Sequence, residues 1–120
     1  MNNPNPTEIK YHQASHILEV SFDDGSVFKF TTEFLRVNSP SAEVRGHGPG
    51  QETLQLNKEN VFIENIEPVG QYAIKPTFSD GHNTGIFSFQ ELYSLGVNQD
   101  ALWQHYLDQL KEAGHERKVN

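Results

Sequence analysis

No cysteine occurs among the 120 residues. That excludes disulfides, thiolate nucleophiles, cysteine-held iron–sulfur clusters and every zinc site built on thiolates. It also agrees with a reducing compartment. No apolar run approaches the roughly 18 residues that a membrane-crossing helix needs. The opening MNNPNPTEIK lacks the basic start and apolar stretch of a secretory signal. Positive charge is scarce as well. Nine Lys and Arg stand against sixteen Asp and Glu, a formal net charge of −7, and the nine form no run. Binding to a phosphate backbone draws on clustered Lys and Arg. No nucleic-acid and no membrane partner is therefore expected, and the reading is a soluble, cytoplasmic protein.

What is present is a chain of one-domain length. The proline-broken MNNPNP (1–6) reads as a loose, disordered tail, residues 7–114 as the domain, and 115–120 as a second tail. TEIKYH and SHILEVSF read as strands, with Ile17, Val20 and Phe22 as apolar positions of the second. Asp24-Gly25 between two β-rich runs signals a hairpin, and VFKF alternates Phe28 and Phe30 against Val27 and Lys29. TEFLRV is ambiguous, and ETLQL (52–56) reads as a short strand. A meander follows over 61–89, with turns at Pro68–Gly70 and at SDGHN, and Pro76 marks a strand edge or end. The period then changes. Ser88 and Glu91 have capping-box spacing and Gly96 reads as a helix stop. In the next helix Leu102, Trp103, Tyr106, Leu107 and Leu110 form one stripe, read as core, and Gly114 ends it. The fold class expected is α+β: a small, mostly antiparallel sheet domain, N-terminal hairpin plus later meander, with two short C-terminal helices.

The chemistry-bearing residues concentrate in LRVNSPSAEVRGHGPGQ (35–51) and in SDGH (79–82). Gly46, Gly48 and Gly50 with Arg45 and His47 could bare amides to a phosphate, but the lysine and following helix of a P-loop are missing. Six histidines occur, and none has Asp or Glu two places on. The facial-triad pattern is thus absent, although Asp80, His82 and His47 could still pool ligands. Ser39 and Ser41 lie near Glu43 and His47 in sequence, without a G-x-S-x-G elbow.

The two stretches LRVNSPSAEVRGHGPGQ and FSDGHNTGIFSFQEL together resemble the bacterial family related to the N-terminal domain of gamma-butyrobetaine hydroxylase, a domain of unknown function. The resemblance implies a small β-rich module. In the hydroxylase that module holds a structural zinc through three cysteines and a histidine. On this chain those positions fall on Ser39, Ser41, Val44 and His82. Hydroxyls and valine do not replace thiolates, so neither a zinc nor any other cofactor is expected. The loop is then expected to be held by hydrogen bonds from Ser39, Ser41, Arg36 and His82. The hydroxylase's catalysis resides in a separate domain, so no enzymatic activity is implied.

The family also occurs fused to P-loop iron–sulfur carrier proteins. That leads to the expectation of a non-catalytic binding or accessory module with a protein partner in iron–sulfur metabolism. Its candidate ligand or partner contacts are Arg36, Ser39, Ser41, Glu43, Arg45, His47, Asp80 and His82. The alternative is a degenerate metal or anion site using His82 and His47.

Overall fold

A computed structural model describes residues 4–48 and 50–118. Three antiparallel strands open the chain: β1 (Pro6–His12), β2 (Ile17–Phe22) and β3 (Val27–Thr31), in the spatial order β1-β2-β3. Gly25 has φ +88° in the β2–β3 turn, the positive φ for which a glycine follows aspartate there. On β2 the buried face is Leu18, Val20 and Phe22, so Ile17 belongs to the other face. On β3 Phe30 is buried while Val27 and Lys29 face out.

The ambiguous TEFLRV is a helix, α1 (Thr32–Val37). The Thr31 hydroxyl caps it by accepting from the Phe34 amide at 3.1 Å. A one-turn helix, α2 (Ala42–Arg45), follows inside the stretch that lacks any helical period. Its start is fixed by Ser41, whose hydroxyl accepts from the Glu43 amide at 3.2 Å. Residues 52–56 form no strand.

A second antiparallel sheet has β4 (Ile63–Val69), β5 (Ala73–Phe78) and β6 (Phe87–Ser88), in that order. Among the described residues the strands thus form two three-stranded sheets. The β4–β5 turn lies at 70–72, with Pro68 still in β4. Pro76 is buried in the central strand β5, opposite Ile66 of β4. The proline is tolerated because β6 pairs only with Ala73 and Ile74. At Pro76 the strand has one neighbour, and the missing N–H costs no ladder bond on the empty side.

Two helices finish the chain, α3 (Phe89–Val97) and α4 (Gln99–Glu112). The Ser88 hydroxyl accepts from the Glu91 amide at 3.0 Å, as the capping-box spacing predicts. Gly96 does not stop α3 but lies within it, because a Cβ there would run into the Phe28 ring. The glycine lets α3 approach β3 closely. Helix α4 buries Tyr106 and Leu110. One aromatic-rich core joins the layers. Phe30 stacks on Phe34 at 5.8 Å, Phe34 meets Trp103 at 6.5 Å, and Tyr93 meets Phe22 and Phe28 edge-on at 5.1 and 5.4 Å. Phe78 and Phe87 extend the same core into the second sheet. No helix among the described residues is long and apolar enough to cross a membrane.

Both expected tails begin inside the fold. The Asn5 carbonyl accepts from the Asp23 amide at 2.9 Å, and Pro6 already opens β1. At the other end Arg117 pairs with Glu33. Residues 1–3 and 119–120 lie outside the described residues.

Candidate functional site

Two connections that are remote in sequence meet at one end of the core. One runs from α1 through α2 and carries Arg36, Ser39, Ser41, Glu43 and Arg45. The other joins β5 to β6 and carries Asp80, His82, Thr84 and Gly85. A tight turn presents the second set: Gly81 has φ +89° and the Phe78 amide donates to the His82 carbonyl at 2.9 Å.

Ser39 is 0 % exposed and its Oγ lies 2.8 Å from His82 Nε2. His82 is 5 % exposed, and its Nδ1 lies 3.1 Å from Glu43 Oε2. Burial lowers the His82 pKa and the nearby Arg36 charge lowers it further, against the pull of Glu43. The ring is therefore read as neutral. A carboxylate only accepts, so Nδ1–H donates to Glu43 and Nε2 accepts the Ser39 hydroxyl. The Ser39 oxygen in turn accepts from the Ser41 amide at 3.3 Å. Ser41 Oγ and Thr84 Oγ1 are 2.6 Å apart, and Thr84 donates to Glu43 Oε1 at 3.1 Å. Every hydroxyl in the cluster thus has a partner.

Beside it, Arg36 Nε donates to Asp80 Oδ2 at 2.8 Å and Lys58 Nζ to the same oxygen at 2.6 Å. Partial burial of Asp80 works the other way, but the hydrogen bonds from Lys58 and Arg36 outweigh it and hold the carboxyl at a pKa of about 2. The other Asp80 oxygen accepts from the His82 amide at 3.3 Å, which couples the ion pair to the imidazole.

Ser39, His82 and Glu43 have the connectivity of a serine–histidine–acid triad, with His82 in the place that proximity in sequence assigned to His47. The connectivity lacks access. Gly85 packs directly over the hydroxyl, so closely that a Cβ there would collide with Ser39 Oγ. A carbonyl carbon reaches that oxygen only by displacing Gly85. The zinc of the hydroxylase domain does not fit either. Ser39 and Ser41 offer hydroxyls already in use, Val44 offers no donor, and both His82 nitrogens are engaged. Among the described residues no cluster of three His, Asp or Glu side chains is arranged to hold a metal.

His47 stands apart. It is exposed, and among the described residues no hydrogen bond or ring contact joins it to His82. Gly46 is the C-cap of α2 with φ +71°, and a Cβ there would strike the Gln51 carbonyl. This glycine serves the turn.

Arg45 faces another way. Its Nη2 donates to the Asn38 carbonyl at 3.0 Å and also bonds Glu91 of α3. Glu91 therefore turns to Arg45 instead of closing the capping box on Ser88. This pair stands on a groove of about 550 Å³ between residues 37–45 and 52–55 on one side and helices α3 and α4 on the other. Val44, Leu54, Leu95, Leu102 and Tyr106 line it, with Glu52 among its polar groups.

The sequence alone does not single out Thr84, Gly85 or Lys58, and it marks Glu91 only as a capping-box residue. Thr84 and Gly85 lie next to His82 in sequence, but nothing in a single Thr-Gly announces packing over a serine more than forty residues away.

The gamma-butyrobetaine hydroxylase-like, N-terminal family model matches residues 9–93. A protein solved by NMR is 47 % identical, with a TM-score of 0.82 over 98 % of this chain and 88 % of its own. A second NMR structure is 42 % identical, with a TM-score of 0.83 over 99 % and 94 %. A crystal structure of a protein of unknown function from Acidithiobacillus ferrooxidans is 39 % identical, with a TM-score of 0.62 over 77 % and 92 %. No curated protein matches the chain significantly. With the family model spanning most of its length, this chain belongs to the gamma-butyrobetaine hydroxylase-like, N-terminal family, a family of domains of unknown function.

Proposed function

We propose that this chain is a non-catalytic accessory module that holds a segment of a partner protein in the groove beside Arg45. The observation that carries this reading is a contrast of access. The reactive-looking Ser39 hydroxyl is fully buried, whereas the groove is open and floored by apolar side chains. Apolar anchors with a polar rim are the usual composition of a protein-binding surface. Glu52 and Glu91 outnumber Arg45 in the groove, and the whole chain carries −7, so the segment it fits is apolar with basic flanks. The family resemblance supports iron–sulfur metabolism as the setting, with a P-loop iron–sulfur carrier as the first partner to try. This chain lacks cysteine and holds no cluster through thiolates of its own.

The test is an amide-resolved NMR titration of the labelled chain with such a carrier. Perturbations are expected at Val44, Leu54 and Leu95, and Leu54→Asp or Arg45→Ala should abolish them. Perturbations confined to other surfaces, or binding that survives both substitutions, would overturn the reading.

A further inference from the structure

We propose that Glu33 and the face of Trp103, flanked by Glu59, form a receptor for an arginine side chain, which Arg117 of the same chain occupies in cis and which accepts an arginine-bearing basic segment of a partner in its place. The observations are independent of the groove.

Glu33 lies in the first turn of α1 and is only 5 % exposed. A carboxylate so buried is costly unless a cation meets it. Arg117 supplies one from 84 residues away: its Nε donates to Glu33 Oε2 at 2.9 Å and its Nη2 to Oε1. Two parallel bonds to one carboxylate match a guanidinium and not an ammonium. The same guanidinium carbon sits 5.1 Å from the Trp103 ring centroid, within cation–π range. Carboxylate and aromatic face together read the shape and the charge of arginine.

The flanking contacts are to main chain. Glu59 Oε2 accepts from the Lys118 amide at 2.6 Å, and Asn60 Nδ2 donates to the Lys118 carbonyl at 3.4 Å. Any peptide offers an amide and a carbonyl at that place, so these two contacts are blind to sequence and the arginine carries the selectivity. The occupant is also hinged. Gly114 has φ +71°, its amide donates to Lys111 and the His115 amide to Leu110, which is a Schellman end to α4. The strap leaves the helix through that one glycine, and beyond His115 its polar contacts among the described residues are of a kind that a second basic segment reproduces. The two carboxylates on the receptor side, Glu33 and Glu59, favour a basic occupant.

Trp103 is the sole tryptophan and reports on the site directly. The experiment titrates full-length Arg117→Ala with the synthetic peptide EAGHERK, the sequence of residues 112–118, and follows Trp103 fluorescence. A saturable change is expected. The wild-type chain should respond at least about tenfold more weakly, because its tethered arginine competes at high effective concentration. A peptide with alanine at the arginine position should give no response, and one with lysine a weaker response. If Arg117→Ala is too loosely folded to titrate, the peptide should raise its melting temperature, since a ligand of the native state stabilises it. The double variant Glu33→Gln/Arg117→Ala removes the orphan charge and should neither respond nor gain stability. A folded Arg117→Ala chain with no saturable response, an unfolded one that the peptide does not rescue, or an equal response to the alanine peptide would each overturn the proposal.

Discussion

The seven residues from Ser39 to Arg45 build two regions of opposite character. Inward, Ser39 and Ser41 enter a closed set of hydrogen bonds with His82, Thr84 and Glu43. Outward, Arg45 stands on an open groove and pairs with Glu91 on the surface. The residue types in both are those that catalysis and binding use. What differs is burial at their centres: Ser39, Ser41 and His82 are buried beneath the exposed Glu43 and Thr84, whereas Arg45 is itself exposed. A buried hydroxyl or imidazole must find a partner, and once every donor and acceptor is used the group holds structure and does little else. An exposed arginine gives up little when its surface partner is exchanged for another. The comparison teaches that, in this fold, the polar residues with the most triad-like geometry are the ones least free to react.

Four measurements sharpen or break that contrast. The largest effect is expected from Gly85→Ala, which drives a methyl group into the buried Ser39 hydroxyl. Overpacking of this kind should cost about 3 kcal/mol in urea unfolding. Adding Ser39→Ala removes the clashing oxygen and should recover part of the loss. If Gly85→Ala is neutral, the cluster is looser than the geometry implies.

His82→Leu comes next. It leaves the Ser39 hydroxyl buried without its acceptor, and a loss of about 1–3 kcal/mol is expected. The pair Ser39→Ala with His82→Leu should cost less than the sum of the two single changes, because both remove the same hydrogen bond. Strict additivity in that double-mutant cycle would show the two side chains to be uncoupled.

The pH dependence is smaller and has a definite sign. His82 titrates lower in the folded chain than the ordinary value of about 6.5. The unfolded state therefore binds the proton more readily, and the His82 contribution is complete above about 6.5 and falls away as pH drops below it. Asp80 is also depressed, to about 2. Its contribution is present above the ordinary carboxylate value of about 4 and is lost as pH falls from there toward 2. Denaturation midpoints measured across pH 7 to 2 should show both declines, and His82→Leu should remove only the first.

The smallest stability effect is expected from Arg45→Ala, within about 0.5 kcal/mol, because its ion pair is solvent-exposed. That variant should nevertheless lose partner binding in the NMR titration. A large stability loss from Arg45→Ala, or a binding loss from Ser39→Ala with the fold intact, would reverse the assignment of the two regions.

Much of the frame was legible in the residue order. Alternation in VFKF, the Asp-Gly turn, the Ser88 cap and the stripe from Leu102 to Leu110 each depend on neighbours within a few residues, and short-range stereochemistry decides them. The absence of cysteine closed off thiolate chemistry before any geometry was known. The pairing of the two chemistry-bearing stretches came from their likeness to a family, not from their own spacing.

Tertiary structure decided the rest. Only packing explains why Gly96 sits inside α3, where the Phe28 ring leaves no room for a Cβ, and why Gly85 must be glycine above Ser39. Only the short β6 makes a central-strand proline tolerable. The choice of His82 over His47 as the partner of Ser39 spans 43 residues, and the anchoring of Arg117 on Glu33 spans 84. A sequence carries no signal of such separations, because these contacts form only when the whole core has closed around them. Composition and local order determined which side chains were available; the closing of the core determined which of them are locked in pairs and which still face a partner.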